Sequence, residues 1–481
     1  MMKKLILLFT CIFCINTFYA KVKLPCVFTN NAVLQREKPI AVWGWANKGE
    51  AIKIEFAQST YQALADENGK WKIEMLPQKA GGPFELKVNG EDSEITLRNI
   101  LIGDVWFCAG QSNMQMPVAD VNNAGAEIAA STNSNIRLFN IDKRVQSDVP
   151  IDEINAVWAE CNPSTIRKFS ATGYFFGRKI QEVLDIPVGL INASWGSTPA
   201  EVWTKRDLVM ADEELKTDAL NLEETGSKQP YRAGNVYNAM VYPFRLFPLA
   251  GVIWYQGENN QNTAYHYEKL LTTMIKGWRA DWGQELPFYI AQICPRYRLW
   301  EYRTYYASAV IRDQQRRVAG SLASCELTVN DDIADLNNSH PLNKQDVGLR
   351  LAFAALAKTY GKSDYTEKLC PIYEKHKILG DAIKVWFKNA EGGLKTSDGQ
   401  SPTCFEIAGT DKAFKPAKAS IRGNSVLLNS PDVKAPVYVR LGWSYYKVTN
   451  LRNIYELPVS IFTTYNFTET DEEPGSKSTS D

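Results

Sequence analysis

The chain has 481 residues, of which 45% are hydrophobic, and its 54 basic residues are balanced by 54 acidic ones. A chain of this length is expected to form about three domains, at roughly 150 residues each. Because the formal net charge is zero, no long-range field favours nucleic acid or an anionic membrane. Composition therefore argues against those partners, and binding is expected to depend on a local site.

Residues 1–20 have the layout of a secretory signal peptide. Lys3 and Lys4 precede an apolar run at 5–13, and the small residue Ala20 ends the segment. An uncleaved membrane anchor is the alternative, although the run is short for a membrane span. We expect a secreted or periplasmic protein that has no membrane association after the signal is cleaved.

The next segment, residues 21–99, is predicted to form a small domain resembling a β-sandwich. Its apolar residues alternate with polar ones in short runs, which is typical of half-buried strands. The pair Asn68-Gly69 is a strong hairpin signal between two of these runs. The runs are 41–43, 52–56, 71–73, 84–88 and 95–97.

Residues 100–365 change to an alternation of apolar strands and amphipathic helices. The clearest helix begins near Tyr267 and is stopped by Gly283, and a closing helix is predicted at 345–360. Alternating strands and helices predict a parallel sheet that is covered by helices on both faces. The strand candidates are 102–109, 186–192, 251–255, 287–293 and 322–330.

The period of two returns at residues 366–465, which predicts a second β domain. Its alternating runs are at 383–387, 425–428 and 437–440. Residues 466–481 are rich in Thr, Glu, Ser and Asp, and they are predicted to form a polar, disordered tail.

The chain contains nine cysteines, of which Cys11 and Cys14 lie in the predicted signal. The other seven are scattered, and no CxxC pair has zinc spacing, so no metal site is expected. An oxidising compartment permits a disulfide or two, but the pairing stays open. Most of the seven are expected to be buried as small hydrophobic residues.

One serine, Ser112, closes an apolar run where a buried strand passes into a polar loop. This is where an α/β sheet presents ligand-binding groups. A nucleophilic serine needs a base, and the chain has only His266, His340 and His376 to supply one. His340 is favoured because it precedes Pro341 in a polar segment before the closing helix. On local sequence alone, Ser112 also fits a helix cap.

Three separated blocks resemble the SGNH-hydrolase superfamily, and within it the sialate O-acetylesterase branch. They are residues 109–114, residues 254–259 and the pair His340-Pro341, in the same order over about residues 22–464. Around Ser112 the chain lacks the G-x-S-x-G turn of α/β-hydrolases, which favours the SGNH resemblance.

The resemblance implies an α/β fold, with an SGNH-type three-layer α/β/α parallel sheet flanked by N-terminal and C-terminal β domains. It also implies a carbohydrate O-acetylesterase that forms an acetyl-serine intermediate without a cofactor. The expected substrate is an O-acetylated sialic acid or a related acetylated glycan. Two alternatives stay open: an acetylesterase for xylan or another acetylated polysaccharide, and a carbohydrate-binding protein without catalytic activity.

Donors for the oxyanion follow from the same resemblance. They are the backbone N–H of Ser112, the N–H of Gly196 and the residue Asn259, although the register leaves Asn260 open for the last role. The residues implied to support these donors are Gln111, Gln256, Glu258 and Asn260.

The third catalytic residue departs from the family pattern. Many SGNH enzymes carry an aspartate three residues before the histidine, but that position holds Asn337 here. Asp335 is therefore the candidate to orient His340, with Asp332 as the alternative. A backbone carbonyl could orient the imidazole instead, which would leave a Ser-His dyad.

Recognition of a sugar acid would require a cation near the site. The arginines in loop-like stretches that could supply it are Arg206, Arg232, Arg296 and Arg298. The aromatic residues near the predicted catalytic blocks are Trp195, Trp203, Trp254 and Tyr255, and most of them are expected to belong to the core.

Overall fold

The computed structural model describes residues 21–141, 145–225, 230–296 and 306–468. The predicted signal peptide and all but the first three residues of the predicted polar tail lie outside these ranges. Within the ranges, no helix combines the length and apolarity needed to cross a bilayer. The α/β class predicted from the strand and helix patterns is confirmed.

Six strands precede the central sheet. They are β1 (Val33–Gln35), β2 (Ile40–Trp45), β3 (Ala51–Phe56), β4 (Ser59–Leu64), β5 (Lys70–Met75) and β6 (Gly81–Asn89). In β3 and β5 every second side chain is buried, as the alternation predicted.

The turn at Asn68-Gly69 forms, but it does not create the expected hairpin. Gly69 has a φ of 71° and donates its N–H to the Asp66 carbonyl at 2.9 Å. However, β4 pairs with β3, whereas β5 pairs with β2 in a separate sheet. A turn signal predicts where the chain reverses, but the buried faces decide which strands pair.

The strand β7 (Glu94–Gly110) belongs to both the N-terminal region and the central sheet. Its first half pairs with β6, and its residues 101–103 pair with β1. Every residue from Ile100 to Gly110 is buried. The boundary predicted between residues 99 and 100 therefore falls inside one continuous strand, because the change of pattern marks entry into a doubly covered sheet rather than a linker.

The central sheet has the order β13-β12-β11-β7-β10-β8-β9. All neighbours in it are parallel except β9, which is antiparallel to β8. The prediction for β11 matches its observed bounds, whereas β8 and β9 were not among the predicted strands. The strands are β8 (Asn133–Asn140), β9 (Trp158–Cys161), β10 (Val188–Ser194), β11 (Gly251–Tyr255), β12 (Phe288–Ala291) and β13 (Cys325–Thr328).

Eight α-helices accompany the sheet in the described ranges. They are α1 (Ser112–Gln115), α2 (Ala124–Ala129), α3 (Ala171–Leu184), α4 (Arg206–Met210), α5 (Glu213–Glu223), α6 (Tyr267–Trp282), α7 (Ala307–Ser321) and α8 (Lys344–Lys358). Shorter helical turns are Val118–Asp120, Ile166–Lys168, Ala200–Trp203, Tyr237–Val241, Tyr242–Phe244, Glu258–His266, Asp331–Ile333 and Ser363–Lys368.

Helices cover both faces of the central sheet. α3 and α8 pack with Trp106 and Tyr289 in one hydrophobic cluster, and α6 and α7 pack with Phe107 and Trp254 in another. Gly283 ends α6 in the left-handed region at a φ of 61°, as predicted. This packing explains why the central strands β11 and β12 are apolar and buried along their whole length.

Beyond α8 the chain forms two four-stranded antiparallel sheets and one strand pair, with a hydrophobic cluster of their own. The strands are β14 (Ile372–Leu379), β15 (Ala382–Lys388), β16 (Leu394–Thr396), β17 (Phe405–Ala408), β18 (Lys415–Pro416), β19 (Lys418–Arg422), β20 (Ser425–Asn429), β21 (Tyr438–Leu441), β22 (Leu451–Asn453) and β23 (Phe462–Thr463).

The seven cysteines of the described ranges are all free thiols. Cys108, Cys161, Cys294 and Cys370 are buried, in keeping with the expectation that most act as small hydrophobic residues.

Candidate active site

The site lies at the carboxyl end of β7, where the order of the sheet reverses. β10 and β8 lie on one side of β7, and β11, β12 and β13 lie on the other. Ligands bind at such a switch point in open α/β sheets. Gly110 has a φ of 141°, and a side chain there would meet the Tyr255 carbonyl oxygen at 2.2 Å. Only glycine therefore fits the turn that carries the chain from β7 to Ser112.

The structure brings Ser112 and His340 together although 228 positions separate them. Oγ of Ser112 and Nε2 of His340 are 2.8 Å apart. Burial lowers the pKa of His340, and the positive charges of Lys344 and Arg296 lower it further. The imidazole is therefore neutral near pH 7 and can accept the proton of the serine hydroxyl.

The two other histidines lie elsewhere. Nδ1 of His266 is 2.7 Å from a carboxylate oxygen of Asp218, and Nδ1 of His376 is 2.8 Å from the hydroxyl of Tyr373 on β14. Neither of these contacts involves Ser112. The choice of His340 from the three candidates agrees with this arrangement.

The two predicted aspartates do not reach the imidazole. The Asp335 carboxylate is exposed and accepts the N–H of Asn337 at 2.9 Å, because it closes a local turn. Asp332 is held by both terminal nitrogens of Arg350 at 2.7 Å each. In the part of the chain that the structure describes, Nδ1 of His340 instead faces Oγ of Ser339 at 3.3 Å. The expectation that Asp335 or Asp332 orients His340 is not met.

Asn113 and Lys344 hold the backbone on either side of His340. The amide of Asn113 donates to the Ser339 carbonyl at 2.9 Å, and Nζ of Lys344 donates to the Pro341 carbonyl at 2.6 Å. Nζ of Lys344 also donates to Oδ1 of Asn113 at 2.7 Å, which joins the two contacts. We name Asn113 and Lys344 the backbone clamp.

The backbone clamp is buried, and a carboxyl group contacts it. Lys344 has no exposed surface, and burial lowers its pKa to about 8. Glu258 accepts from the Asn113 amide at 2.6 Å, and burial raises the pKa of this carboxyl. Sequence reasoning assigned Glu258 a supporting role but missed Asn113 and Lys344. The available signal was a lysine in the first turn of a helix whose face is otherwise apolar.

Gly196, the predicted oxyanion donor, lies beside Ser112. A side-chain carbon at Gly196 would be 3.4 Å from Cβ of Ser112. The N–H of Gly196 donates to Oε1 of Gln115 at 2.7 Å, so an amide oxygen already occupies the direction that a substrate oxygen would take. Gln115 was not identified from the sequence.

The asparagine pair after β11 separates into two roles. The Asn260 amide is buried, donating to Glu201 at 2.8 Å and accepting from the N–H of Ala200 at 2.8 Å. The Asn259 amide donates to the Ser197 carbonyl at 3.0 Å, which attaches it to the loop that carries Gly196. Of the two asparagines, Asn259 therefore contacts the residue next to Gly196.

Gln111 and Gln256 support the same loops. Oε1 of Gln111 accepts the N–H of Asn259 at 3.3 Å, and Nε2 of Gln256 donates to the Thr198 carbonyl at 3.1 Å. Gln256 also donates to Oδ1 of Asn260 at 2.7 Å. Both side chains are buried, so they connect the loops that follow β7, β10 and β11.

A cleft of about 460 Å³ opens from Ser112 and His340. The neutral polar residues that line it are Gln115, Asn140, Asn192 and Ser194. The charged side chains among its described lining residues are Asp120 and Lys168. A volume of this size suits a small organic ligand, since such pockets measure roughly 300–1,000 Å³.

Three of the predicted arginines, Arg206, Arg232 and Arg296, lie in the described part of the chain and do not line this cleft. Arg206 pairs with Glu223 at 2.5 Å and Arg232 pairs with Asp148 at 2.8 Å. Arg296 is buried, and Arg298 lies outside the described residues. The aromatic residues Trp203, Trp254 and Tyr255 are fully buried core residues, and Trp195 is partly buried.

No group of three or more histidine, cysteine, aspartate or glutamate side chains within the described ranges is placed to hold a metal ion. The described site contains a serine hydroxyl, an imidazole beside it and backbone N–H donors.

A serine paired with a neutral histidine at the switch point of an α/β sheet is the arrangement of a serine-dependent ester hydrolase. The profile of the family described as carbohydrate esterase, sialic acid-specific acetylesterase matches residues 102–358. The chain belongs to this family.

Named relatives of the chain are also acetylesterases. The chain is 30% identical over 399 residues to a sialate O-acetylesterase of Rattus norvegicus, covering 70% of this chain and 73% of that protein. It is 28% identical over 391 residues to a sialate O-acetylesterase of Homo sapiens, covering 73% of each. The crystal structure of a carbohydrate acetylesterase from Xanthomonas citri matches with a TM-score of 0.84 and 33% identity, over 93% of this chain and 100% of that one.

Proposed function

We propose that the protein removes O-acetyl groups from sialic acid, with Ser112 as nucleophile and His340 as base. The observation that carries the proposal is the 2.8 Å contact between Oγ of Ser112 and Nε2 of His340. The chain also belongs to a family of carbohydrate esterases. The names of the relatives, sialate O-acetylesterases, support the choice of substrate.

In the first step, Oγ of Ser112 attacks the acetyl carbonyl while Nε2 of His340 takes the hydroxyl proton. The bond between the acetyl carbon and the sugar oxygen then breaks, and His340 gives its proton to that oxygen, which leaves as a sugar hydroxyl. In the second step, His340 takes a proton from water, and the hydroxide formed attacks the acetyl-serine. The bond between the acetyl carbon and Oγ of Ser112 then breaks, and His340 returns the proton to Oγ. The product is acetic acid, which loses its own proton to the solvent as acetate.

The negative charge on the carbonyl oxygen needs donors in both steps. We assign this role to the N–H groups of Ser112 and Gly196, with Asn259 beside the same loop. The substrate oxygen would replace Oε1 of Gln115 as the acceptor of the Gly196 N–H, which is 2.7 Å from it. Each such donor contributes on the order of 100-fold or more to the rate.

The central sheet is proposed to be of the SGNH type, flanked by the two β domains. Residues 1–20 are proposed as a signal peptide, so that the enzyme acts outside the cytoplasm. The charge pattern of residues 1–20 supports this placement.

The test compares purified wild type with Ser112→Ala and His340→Ala on O-acetylated sialic acid, with acetate release as the readout. We expect losses of at least about 1,000-fold in kcat for both variants, because a serine–histidine pair acts as a unit. Unchanged thermal unfolding serves as the control for folding. Normal turnover by Ser112→Ala would overturn the catalytic assignment.

Substrate identity is tested separately on wild type. Acetate release is measured from O-acetylated sialic acid and from acetylated xylan at equal acetyl concentrations. A higher kcat/KM on the sialic acid supports the proposal. Turnover of xylan alone would replace sialate with a neutral polysaccharide and leave the serine mechanism standing.

A further inference from the structure

A second cavity adjoins the catalytic cleft. It has a volume of about 450 Å³ and shares two lining residues, Asn140 and Lys168, with the cleft. The second cavity extends along the edge strand β9. Its other walls include Leu138, Val157, Ala159, Ser164 and Phe169.

Lys168 is a cation at the junction of the two cavities. Its side chain is exposed at the end of the turn Ile166–Lys168. Among the described lining residues of both cavities, the other side chain with a full charge is Asp120 in the cleft. An exposed ammonium is suited to bind a ligand carboxylate.

The walls of the second cavity fit a neutral sugar. Ser164, Thr165 and Asn155 offer hydroxyl and amide groups, while Val157 is an apolar side chain that is 62% exposed. Sugars present hydroxyl groups and apolar C–H faces together, and a mixture of polar and apolar walls is typical of small-molecule sites. Among the described residues that line this cavity, Lys168 is the charged one, and it also lines the catalytic cleft.

The chemistry of sialic acid links these two features. Its carboxylate is attached to the anomeric carbon, which also carries the glycosidic bond, whereas its glycerol-like tail, where acetyl esters form, lies at the other end of the molecule. With an acetyl group at Ser112, the carboxylate points away from the nucleophile. The next sugar then begins at the carbon that bears the carboxylate.

Resting on the proposed function, we infer that the second cavity binds the sugar to which the acetylated sialic acid is linked, and that Lys168 binds the sialate carboxylate at the junction. The preferred substrate is therefore a sialylated oligosaccharide or glycoconjugate rather than the free sugar acid.

The experiment measures acetate release from O-acetylated sialic acid, free and linked to lactose, with 4-nitrophenyl acetate as a reference ester. Lys168→Met is compared with Arg167→Met, which removes a cation from the neighbouring exposed position that lines neither cavity. We expect Lys168→Met to lower kcat/KM on both sialates about tenfold relative to the reference ester, mostly through KM. Arg167→Met should keep the wild-type ratio.

A second variant tests the cavity itself. Ala159→Trp places a large side chain on β9, and Ser164→Trp does so from an exposed position if the first variant fails to fold. We expect wild type to prefer the linked substrate about fivefold or more in kcat/KM, and the tryptophan variant to lose this preference.

Equal kcat/KM on free and linked sialate in wild type, or equal ratios for Lys168→Met and Arg167→Met, would overturn the inference and leave the proposed function standing. Wild type that releases acetate from acetylated xylan but from neither sialate would overturn the proposed function, and the inference with it.

Discussion

The imidazole of His340 is held in this site by its own backbone. In a conventional triad a carboxylate on Nδ1 fixes the ring and favours its protonated form. Here the carbonyls of Ser339 and Pro341 are held by Asn113 and Lys344, and the charges that act on the ring are positive. The base is therefore positioned by hydrogen bonds to its neighbours, while burial and cations keep it unprotonated.

Lys344→Met should move the acid limb of the kcat/KM profile to higher pH. Burial lowers the pKa of His340, and the Lys344 charge adds to that effect, so removing the charge raises the pKa of the base. A larger fraction of enzyme is then protonated and inactive at a given acidic pH. We also expect about a tenfold fall in the pH-independent kcat/KM, because the Pro341 carbonyl loses its donor. A pH profile on 4-nitrophenyl acetate gives both values.

The matched control is Asp335→Asn. The Asp335 carboxylate closes an exposed turn and does not contact the ring, so the profile should stay in place and activity should change less than about twofold. The corresponding change in a triad costs on the order of 10⁴-fold. A loss of that size would restore Asp335 as the orienting residue, and an unmoved acid limb for Lys344→Met would contradict the role of its charge.

At the scale of elements, the site depends on how closely the ends of β7 and β11 approach. β7 ends at Gly110 and β11 ends at Tyr255, and these two residues are paired in the sheet. The N–H of Gln111 donates to the Tyr255 carbonyl at 3.0 Å. A side chain at Gly110 would collide with that carbonyl. The position of the nucleophile is therefore tied to backbone contact between two strands.

Gly110→Ala should lower the free energy of unfolding by about 2–4 kcal/mol and reduce acetate release. Its φ of 141° strains any other residue, and the strands must separate to admit the methyl group. Gly125→Ala on α2 is the control, since a side-chain carbon there meets open space and alanine favours a helix. Denaturant unfolding of both variants measures the difference, and equal stabilities would contradict the strain argument.

At the scale of the molecule, the C-terminal β region is joined to the α/β region by buried contacts. Ile372, Trp443 and Ile461 belong to the same hydrophobic cluster as one face of the central sheet. Arg312 on α7 adds a polar link, since it donates to Asp331 at 3.0 Å and to the Ser444 carbonyl at 2.6 Å. Asp331 lies in the segment between β13 and α8 that also carries His340, so this link holds one part of that segment in place.

Arg312→Leu should destabilise the protein by about 3–5 kcal/mol, because it leaves the Asp331 carboxylate buried without its cation. The double variant Arg312→Leu, Asp331→Leu should recover part of that loss, since no unpaired charge then remains. Urea unfolding of the single and double variants gives the comparison. A double variant that is less stable than the single one would show that the ion pair itself, rather than the unpaired charge, governs stability.

Local patterns in the sequence were sufficient for the class of fold, whereas the Ser112–His340 pair was predicted from the family resemblance together with the small number of histidines. Strand β11, helix α6 and its stop at Gly283 follow from apolar periodicity and from a glycine in the left-handed region, both of which act over a few residues. Ser112 and His340 were found because only three histidines were available and the family blocks kept their order.

Only the tertiary structure decided what touches His340 and which strands meet. Asp335 is near His340 in sequence, yet its carboxylate serves a turn, while Asn113 and Lys344 reach the histidine loop through contacts across the fold. The Asn68-Gly69 turn forms without its hairpin for the same reason. Periodicity reports which side of an element is buried, but a hydrogen bond or strand partner depends on packing between distant segments, which no local pattern encodes.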